Sequence, residues 1–373
     1  MNPLLNQAVA FLEEVYDSER GLFPASTSLV DGRYVSTFDE PRALRYSINC
    51  LLGLKQAALK GVASPLVRDV DELVERFLAQ NYPRVRNHGD LGLLLVLLAD
   101  GFEADPAEDA LQRIVEAAER EEIDALPLQD VCWMLWGAVA LARNEVAGSA
   151  PVAHQLFRAL HRGFFNRDSL LPHHTKRLWR RNSVSFGGVV YFLRVLHEYA
   201  DCFGDEYAAT LFRFGVGRVL DIQGSRGEWP WMIDVNAAGV IDRYPVYSVH
   251  QDSMSMLFLL PALDLGLPGV RESIERSYAW VLGDNEISTP MVMEEPFFRY
   301  RALERRGGLQ RPRRYARSLP GVVRIARRRL AHAGGVRINR ECRSYEMGWV
   351  VYVWAGRPER LALKLGERPV QFG

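Results

Sequence analysis

Apolar and polar positions alternate along this chain in a two-helix rhythm that repeats six times. The first member of each pair carries polar residues along one face, which is typical of a helix on a protein surface. These amphipathic helices are predicted at residues 3–16, 64–80, 106–119, 150–164, 205–221 and 269–283. The second member is apolar on all sides, which predicts a buried helix. The buried helices are predicted at residues 41–57, 87–100, 126–142, 180–200, 245–266 and 289–304.

This alternation predicts an all-α fold, an (α/α)6 toroid of six helix hairpins. The inner helices of such a ring share one direction, so their N-terminal ends and the loops before them surround a single cleft. Length alone permits two domains, but the repeat joins residues 1–305 into one body. Residues 306–373 are predicted to form a short basic and β-structured C-terminal extension.

The predicted extension combines a basic segment with two apolar stretches. EMGWVVYVWAG at 346–356 and LALKL at 361–365 are typical of two strands, and we predict a terminal β-hairpin packed on the toroid. Thirteen arginines and one acid, Glu341, lie between Arg305 and Arg343. Within 311–343 the apolar positions have helical spacing, and a basic amphipathic helix can bind an anionic membrane surface. The alternative is a solvated tail that packs on the body, and no nucleic acid is expected because no recognised binding motif accompanies the charge.

The composition is that of an ordinary globular protein. The chain has 373 residues, of which 48% are hydrophobic, and its formal net charge is zero. No secretory signal and no apolar run of membrane-spanning length is visible in the sequence. The four cysteines are scattered, which favours reduced thiols. We therefore expect a cytoplasmic protein, with peripheral attachment to a membrane left open.

The densest group of polar and aromatic residues precedes the fifth inner helix. Residues 228–234 and 240–244 flank an Asn-Ala-Ala-Gly turn, which predicts a small β-hairpin. At helical spacing, Gln251 and Asp252 share one polar wedge with Ser248 and Ser255. A polar wedge on a buried helix faces water, a ligand or an internal hydrogen-bond network.

The layout of this segment resembles a known superfamily. Gly227, Trp229, Asp234 and Gly239, followed by the polar helix start at 248–254, give a G-x-W-x4-D hairpin before an inner helix. This pattern is similar to that of the six-hairpin glycosidases, which include unsaturated glucuronyl hydrolases, unsaturated rhamnogalacturonyl hydrolases and sugar 2-epimerases. The resemblance implies the toroid fold and a carbohydrate-active enzyme, and it covers about 300 residues without a diagnostic catalytic signature.

The starts of the other inner helices supply further polar residues to the same predicted cleft. Arginine pairs suit a carboxylate or phosphate group of a substrate, and aromatic rings stack on sugars. The residues predicted to bind the substrate are Arg45, Tyr46, His88, Asp90, Asp130, Arg181, Asn182, Trp229, Trp231, Tyr244 and Gln251. Among them, Arg45 and Arg181 are predicted to hold an anionic group.

Four residues are predicted to carry the chemistry. Asp252 and Glu295 are the candidate acid and base carboxylates, and His250 with Tyr247 is the candidate proton-transfer pair. Hydrolysis, epimerisation and elimination use the same residue types, so the reaction stays open. The sequence favours a hydrolase, epimerase or lyase that acts on an anionic or lipid-linked saccharide in polysaccharide metabolism.

Two other functions compete with this hypothesis. Asp130-Val131-Cys132 resembles the zinc-binding element of protein prenyltransferase β subunits, with His250 as a third ligand. A catalytic zinc site needs three placed ligands and an open position, and neither DxDD nor DDxxD occurs in the sequence. We therefore predict no metal and no cofactor, with a terpenoid or prenyl-type enzyme as the alternative. The other alternative is a non-catalytic protein that binds a glycan or serves as a scaffold.

Overall fold

The protein is described by a computed structural model over residues 3–99, 104–119, 122–175, 181–306 and 335–357. Over these residues the chain forms the predicted (α/α)6 toroid, in which an outer ring of helices surrounds an inner one. The outer helices follow their predicted positions closely. They are α1 (Pro3–Val15), α4 (Val70–Asn81) after the short α3 (Pro65–Arg68), α6 (Ala104–Glu119), α8 (Ser149–Phe164), α10 (Glu206–Leu220) and α12 (Val270–Val281).

Five of the six inner helices also lie where the sequence predicts them. They are α2 (Arg42–Leu59), α5 (His88–Leu98), α7 (Leu128–Arg143), α9 (Phe186–Phe203) and α11 (Met256–Asp264), the last preceded by a π-helical turn at His250–Met254. Side-chain caps fix the starts of two of them. The Asn87 side chain accepts from the Asp90 amide at 2.9 Å, and Ser185 accepts from the Gly188 amide at 3.2 Å. A cap of this kind satisfies an amide that the helix itself leaves unpaired.

The sixth inner helix is not at its predicted position. Residues 289–304 form three short strands, β7 (Val292–Met293), β8 (Phe298–Arg299) and β9 (Ala302–Arg305). The inner helix is α13 (Ser344–Trp354), which the sequence analysis assigned to a β-strand. Both predictions are wrong for one reason: a short apolar run with aromatic and β-branched residues has the same signature in a buried strand and a buried helix. Residues predicted to form a C-terminal extension therefore supply a helix of the ring.

Helix α13 closes the ring by packing against α1 and α2. Its contact with α2 is made between backbones, where Gly53 of α2 faces Gly348 of α13. A Cβ atom on Gly348 would lie 2.7 Å from the Asn49 carbonyl oxygen, closer than side chains approach a backbone atom. The two glycines therefore allow the backbones of α2 and α13 to come into contact, and this contact closes the ring.

We expect Gly348→Ala to destabilise the protein by about 1–3 kcal/mol, because the added methyl group forces the two helices apart. Urea unfolding of the purified variant measures this loss. Gly217→Ala is the matched control, since nothing lies within 4 Å of the added Cβ on the outer helix α10. That control should gain about 0.5–1 kcal/mol from helix propensity. Equal effects of the two changes would contradict the placement of α13 against α2.

Small antiparallel sheets lie in the loops that precede the inner helices. The predicted hairpin before the fifth inner helix is confirmed as β4 (Met232–Asp234) and β5 (Gly239–Asp242), with β3 (Ser183–Ser185) beside it. The remaining strands are β1 (Ser26–Val30), β2 (Arg33–Thr37), β6 (Val246–Tyr247), β10 (Val336–Asn339) and β11 (Glu341–Cys342). Strand β11 pairs with β1, and β9 lies between β6 and β10. These pairings tie the chain between α12 and α13 to the first and fifth hairpins.

Two predictions fall outside the described residues. They are the basic amphipathic helix with Leu319, Val322, Val323, Ala326 and Leu330, which is most of the segment at 311–343, and the strand LALKL at 361–365. Among the described helices, none is long and apolar enough to cross a membrane.

Candidate active site at the inner-helix mouth

One side of the mouth is a cluster of carboxylates around an arginine. Arg45 of α2 donates from Nε to Asp90 of α5 at 2.5 Å, and its guanidinium lies 5.1 Å from the ring centre of Trp133. Asn87 donates to Asp130 of α7 at 3.1 Å and also caps the helix that carries Asp90. Burial raises the pKa of both aspartates, whereas the Arg45 charge opposes the rise. We call Arg45, Asn87, Asp90 and Asp130 the acidic cluster.

A second group near the inner-helix starts consists of aromatic rings around a histidine. The ring of His250 lies parallel to that of Trp231 at 6.1 Å and 5.1 Å from the ring of Tyr247. Phe186, at the start of α9, approaches the histidine from behind at 5.1 Å. Trp231 and Tyr247 are half-buried, so this wall presents flat apolar surface of the kind that stacks on sugar rings. We call Trp231, Tyr247 and His250 the aromatic wall.

Residues near the sixth inner helix join the two sides. Tyr46 of α2 packs on Tyr345 of α13, with ring centres 4.5 Å apart. The Arg301 guanidinium lies 5.3 Å from the ring centre of Tyr247, and its charge acts on both Tyr46 and Tyr345. Arg301 is about a quarter exposed and pairs with Glu341 at 2.8 Å. Tyr46, Tyr345 and Arg301 therefore connect helix α2, which carries Arg45, to Tyr247 of the aromatic wall.

His250 has the properties of a neutral base. It is 4% exposed, and its Nδ1 atom has no hydrogen-bond partner among the described residues. Burial lowers the pKa of His250 to about 3, because a charged imidazolium would lose its hydration without gaining a carboxylate partner. At neutral pH the imidazole is uncharged, and burial makes it a weak base until a negative charge develops beside it and raises its pKa.

Glu346, in the first turn of α13, has the properties of an acid. Its side chain is fully buried, and neither carboxyl oxygen has a hydrogen-bond partner among the described residues. Burial raises the pKa of Glu346 to about 8, although the guanidinium groups of Arg299, Arg301 and Arg343 favour its charged form. At neutral pH the carboxyl group is mostly protonated and can donate. The sequence analysis did not identify this residue.

Asp252, predicted as an acid or base, occupies a different environment. Its side chain is fully buried and forms an ion pair with Arg299, which is also fully buried. Its backbone carbonyl accepts from the Trp354 indole at 2.8 Å. The Asp252–Arg299 pair therefore links the fifth inner helix to β8 and α13, and the Arg299 charge also acts on Glu346.

Several other predicted site residues lie away from the mouth or serve the fold. Trp229 is fully buried on Phe186 at 4.9 Å, and Gln251 accepts from the Trp229 amide and donates to the Tyr247 carbonyl. Tyr244 donates to Glu286 at 3.1 Å, on the side of the outer helix α12. Glu295 is exposed at the turn between β7 and β8.

Three polar residues lie in the loops and helix start around the mouth. Arg181 is exposed and Asn182 is half-buried beside β3, where their backbone carbonyls accept from His173 and Val235. His88 is half-buried at the start of α5, and its charge acts on Asp130. His88 therefore belongs beside the acidic cluster, whereas Arg181 and Asn182 stand at the rim.

The zinc hypothesis finds no support in the geometry. Within the described part of the chain, no three His, Cys, Asp or Glu residues are placed to hold a metal ion. Cys132 is fully buried, and burial raises the pKa of its thiol well above the ordinary value. A thiol of this kind stays protonated and packs as a small apolar side chain.

Comparison with solved structures shows which folds this ring resembles. Cellobiose 2-epimerase from Bacillus thermoamylovorans B4167 matches with a TM-score of 0.67 and 13% identity, over 96% of this chain and 100% of that one. A sugar epimerase from a ruminal bacterium gives 0.65 and 11%, over 95% and 97%. Unsaturated glucuronyl hydrolase from Streptococcus agalactiae gives 0.58 and 12%, over 95% and 90%. No protein-family model and no curated protein matches the sequence. The chain has the six-hairpin glycosidase-like (α/α)6 toroid fold.

Proposed function

We propose that the protein is a sugar epimerase that moves a proton at the carbon next to a carbonyl group. The proposal is supported by two buried titratable groups of opposite protonation state on elements that pack together, His250 in the π-helical turn and Glu346 in the first turn of α13. His250 is neutral and Glu346 is protonated over the same pH range, because burial lowers the pKa of the first and raises that of the second. Two groups whose environments separate their protonation states in this way are suited to the roles of base and acid.

The reaction begins on the open-chain form of an aldose. His250 removes the proton from C2, the electron pair of that C–H bond becomes the C1–C2 double bond, and the carbonyl oxygen takes the proton of Glu346. The product is a neutral enediol. The enediol turns its opposite face to the protonated His250, which returns the proton to C2 while Glu346 takes back the C1 hydroxyl proton, and this gives the epimer. Return of the proton to C1, with the C2 hydroxyl proton passing to Glu346, gives the ketose, and both outcomes balance without a cofactor.

Neighbouring residues stabilise and orient the reacting sugar. Arg301 is a fixed positive charge beside Tyr247, and its Nε atom has no hydrogen-bond partner among the described residues. It is suited to stabilise the negative charge that develops on the carbonyl oxygen. Trp231 and Tyr247 are suited to stack on the sugar ring.

Substrate charge is the finer part of the proposal. Arg45, Arg301 and Arg343 approach the mouth, but Asp90 and Glu341 already pair with them. A neutral reducing-end sugar therefore fits this balance at least as well as an anionic or lipid-linked one. The proposed location stays cytoplasmic, and attachment to a membrane through 311–343 stays a proposal that rests on the arginines of that segment.

An activity panel on the purified full chain tests the proposal. Neutral disaccharides, uronate-terminated disaccharides and their unsaturated forms are incubated with the protein, and proton NMR follows both C2 stereochemistry and glycosidic cleavage. We expect a new epimer or ketose with the glycosidic bond intact. Cleavage of the bond without any change at C2 would overturn the epimerase assignment.

Hydrolysis at the acidic cluster is the second candidate. Asp90 and Asp130 are two nearly buried carboxyl groups at the starts of neighbouring inner helices, and burial raises the pKa of each. Paired carboxyl groups are the usual acid and base of glycosidases. If the protein is a hydrolase, Asp130→Asn should lower the rate of glycosidic cleavage by about 10²–10⁴-fold. If it is an epimerase, the same substitution should change only the affinity for the substrate.

A further inference from the structure

A cavity of about 510 Å³ lies at the end of the ring opposite the mouth. It is lined by the C-terminal parts of all six inner helices, because these helices share one direction. On α7, for example, Asp130 stands at the mouth and Arg143 at the cavity, and 13 residues of helix separate them by about 20 Å. The rear cavity is thus distinct in place from the candidate active site.

A column of aromatic rings divides the two ends. Trp136, which lines the cavity, stacks on Trp349 at 6.1 Å, and Trp349 contacts Tyr191 at 6.0 Å. Tyr191 in turn meets Trp133 at 5.1 Å, below the Arg45 guanidinium of the mouth. This column lies between the rear cavity and Arg45 of the acidic cluster.

The cavity lining is rich in cations. It contains Lys60, Arg143, Arg194 and Arg357 but only one acid, Glu198. Arg143 and Arg194 share that acid at 2.6 and 2.5 Å, and Arg357 pairs with Asp264 outside the lining at 2.5 Å. Internal pairing therefore accounts for Arg143 and Arg357 and for the two terminal nitrogens of Arg194.

Two donors in this lining are left over. Lys60 is an exposed cation at the end of α2, and the buried Nε atom of Arg194 has no hydrogen-bond partner among the described residues. Unsatisfied donors beside an already shared carboxylate are suited to hold an acceptor from outside the protein.

Apolar and aromatic groups form the rest of the cavity. Tyr352 is partly exposed, whereas Trp136, Met256 and Leu260 line the wall with little exposed area, and the Arg194 guanidinium lies 5.0 Å from the ring centre of Trp136. The cavity has the size that is usual for small-molecule sites, and the polar part of its accessible lining is larger than the apolar part. An ion without an apolar part would leave the apolar surface of the cavity in contact with water.

We propose that the rear cavity is a second binding site, for an organic anion with an aromatic or aliphatic part. Its charged group lies on Lys60 and Arg194, and its apolar part lies against Trp136 and Tyr352. The proposal does not depend on which reaction the mouth performs.

Fluorescence titration of the full chain with 8-anilinonaphthalene-1-sulfonate tests the site, because this probe joins a sulfonate to aromatic rings. We expect saturable one-to-one binding. Lys60→Gln should lower the affinity about tenfold, because the variant loses one charge-assisted contact. Leu260→Trp should remove binding by filling the cavity. Arg213→Gln, an equal change of charge at an exposed position on α10, should leave the affinity unchanged.

Uncharged N-phenyl-1-naphthylamine separates the proposed site from general apolar adsorption. We expect it to bind at least tenfold more weakly than the sulfonate. Three results would each overturn the proposal. They are equal affinity for the two probes, unchanged sulfonate binding in both Lys60→Gln and Leu260→Trp, and no saturable binding to the unaltered protein. Thermal melts of both variants confirm that each is folded, and Lys60 is exposed, so its variant is not expected to perturb folding.

Discussion

Glu346→Gln is expected to lower kcat by about 10²–10⁴-fold while leaving the fold intact at neutral pH. The carboxyl group is fully buried and burial raises its pKa to about 8, so at pH 7 it is already mostly neutral. Glutamine preserves its shape and neutrality but cannot supply the proton. In the unaltered protein, activity should fall as the pH rises through about 8, because the acid is then ionised.

The pH dependence of thermal stability is a second measurement that tests this variant. The pKa of Glu346 is higher in the folded protein than its ordinary value of 4.5, so the unfolded chain releases this proton first. The contribution of Glu346 is therefore fully present below about pH 4.5 and is lost as the pH rises toward 8. Glu346→Gln should melt at a higher temperature than the unaltered protein at pH 9 and show a smaller difference at pH 5.

Glu304→Gln is the matched control for both readouts. Glu304 is a half-buried carboxylate on β9 that accepts from Asn339 at 2.7 Å, outside the mouth. We expect its variant to keep normal turnover and the normal pH dependence. If Glu304→Gln and Glu346→Gln lowered turnover equally, Glu346 would have no special role as an acid.

His250→Phe is expected to lower kcat by a similar factor of about 10²–10⁴, with substrate affinity changed only a few-fold. Phenylalanine keeps a flat ring against Trp231 and Tyr247 but has no nitrogen to accept the proton. His154→Phe on the outer helix α8 is the control, because His154 contacts Tyr199 and Phe203 far from the mouth. Rate and affinity measured together separate a lost base from a damaged cleft.

The acid stability of the protein should change in the same variant. Because the pKa of His250 is about 3 in the folded protein and ordinarily 6.5, the unfolded chain takes up a proton that the folded site excludes. This term stabilises the fold above about pH 6.5, and the stability is lost as the pH falls toward 3. His250→Phe removes the term, so its unfolding free energy should fall less between pH 7 and pH 4. An unchanged slope would mean that His250 is not held neutral.

The sequence carries most of the fold because helix periodicity and burial are local signals. Five inner helices and all the outer helices were predicted within a few residues, and so was the hairpin around the Gly239 turn. The exception is the sixth inner helix, where Trp349–Val353 has the aromatic and β-branched composition of a strand. Only its packing on Gly53 of α2, a contact between residues almost 300 positions apart, selects the helix.

The same error explains what the sequence could not reveal about the site. Glu346 was hidden in a predicted strand and Arg301 in a predicted helix, so neither was assigned to the mouth. Asp252 has the right helix position, but its burial against Arg299 depends on β8, which the periodicity did not predict. His250, Tyr247, Trp231 and Arg45 are predicted as site residues from the sequence because each lies at the start of an inner helix or in the loop before one.

The most direct test of the central claim is hydrogen exchange at C2 of a reducing disaccharide incubated with the protein in deuterium oxide. Proton NMR should show the C2 signal of substrate or product disappearing as deuterium enters from solvent through His250. The exchange should be lost in His250→Phe and retained in His154→Phe. Turnover of a saccharide with its C2 proton fully retained would contradict the account.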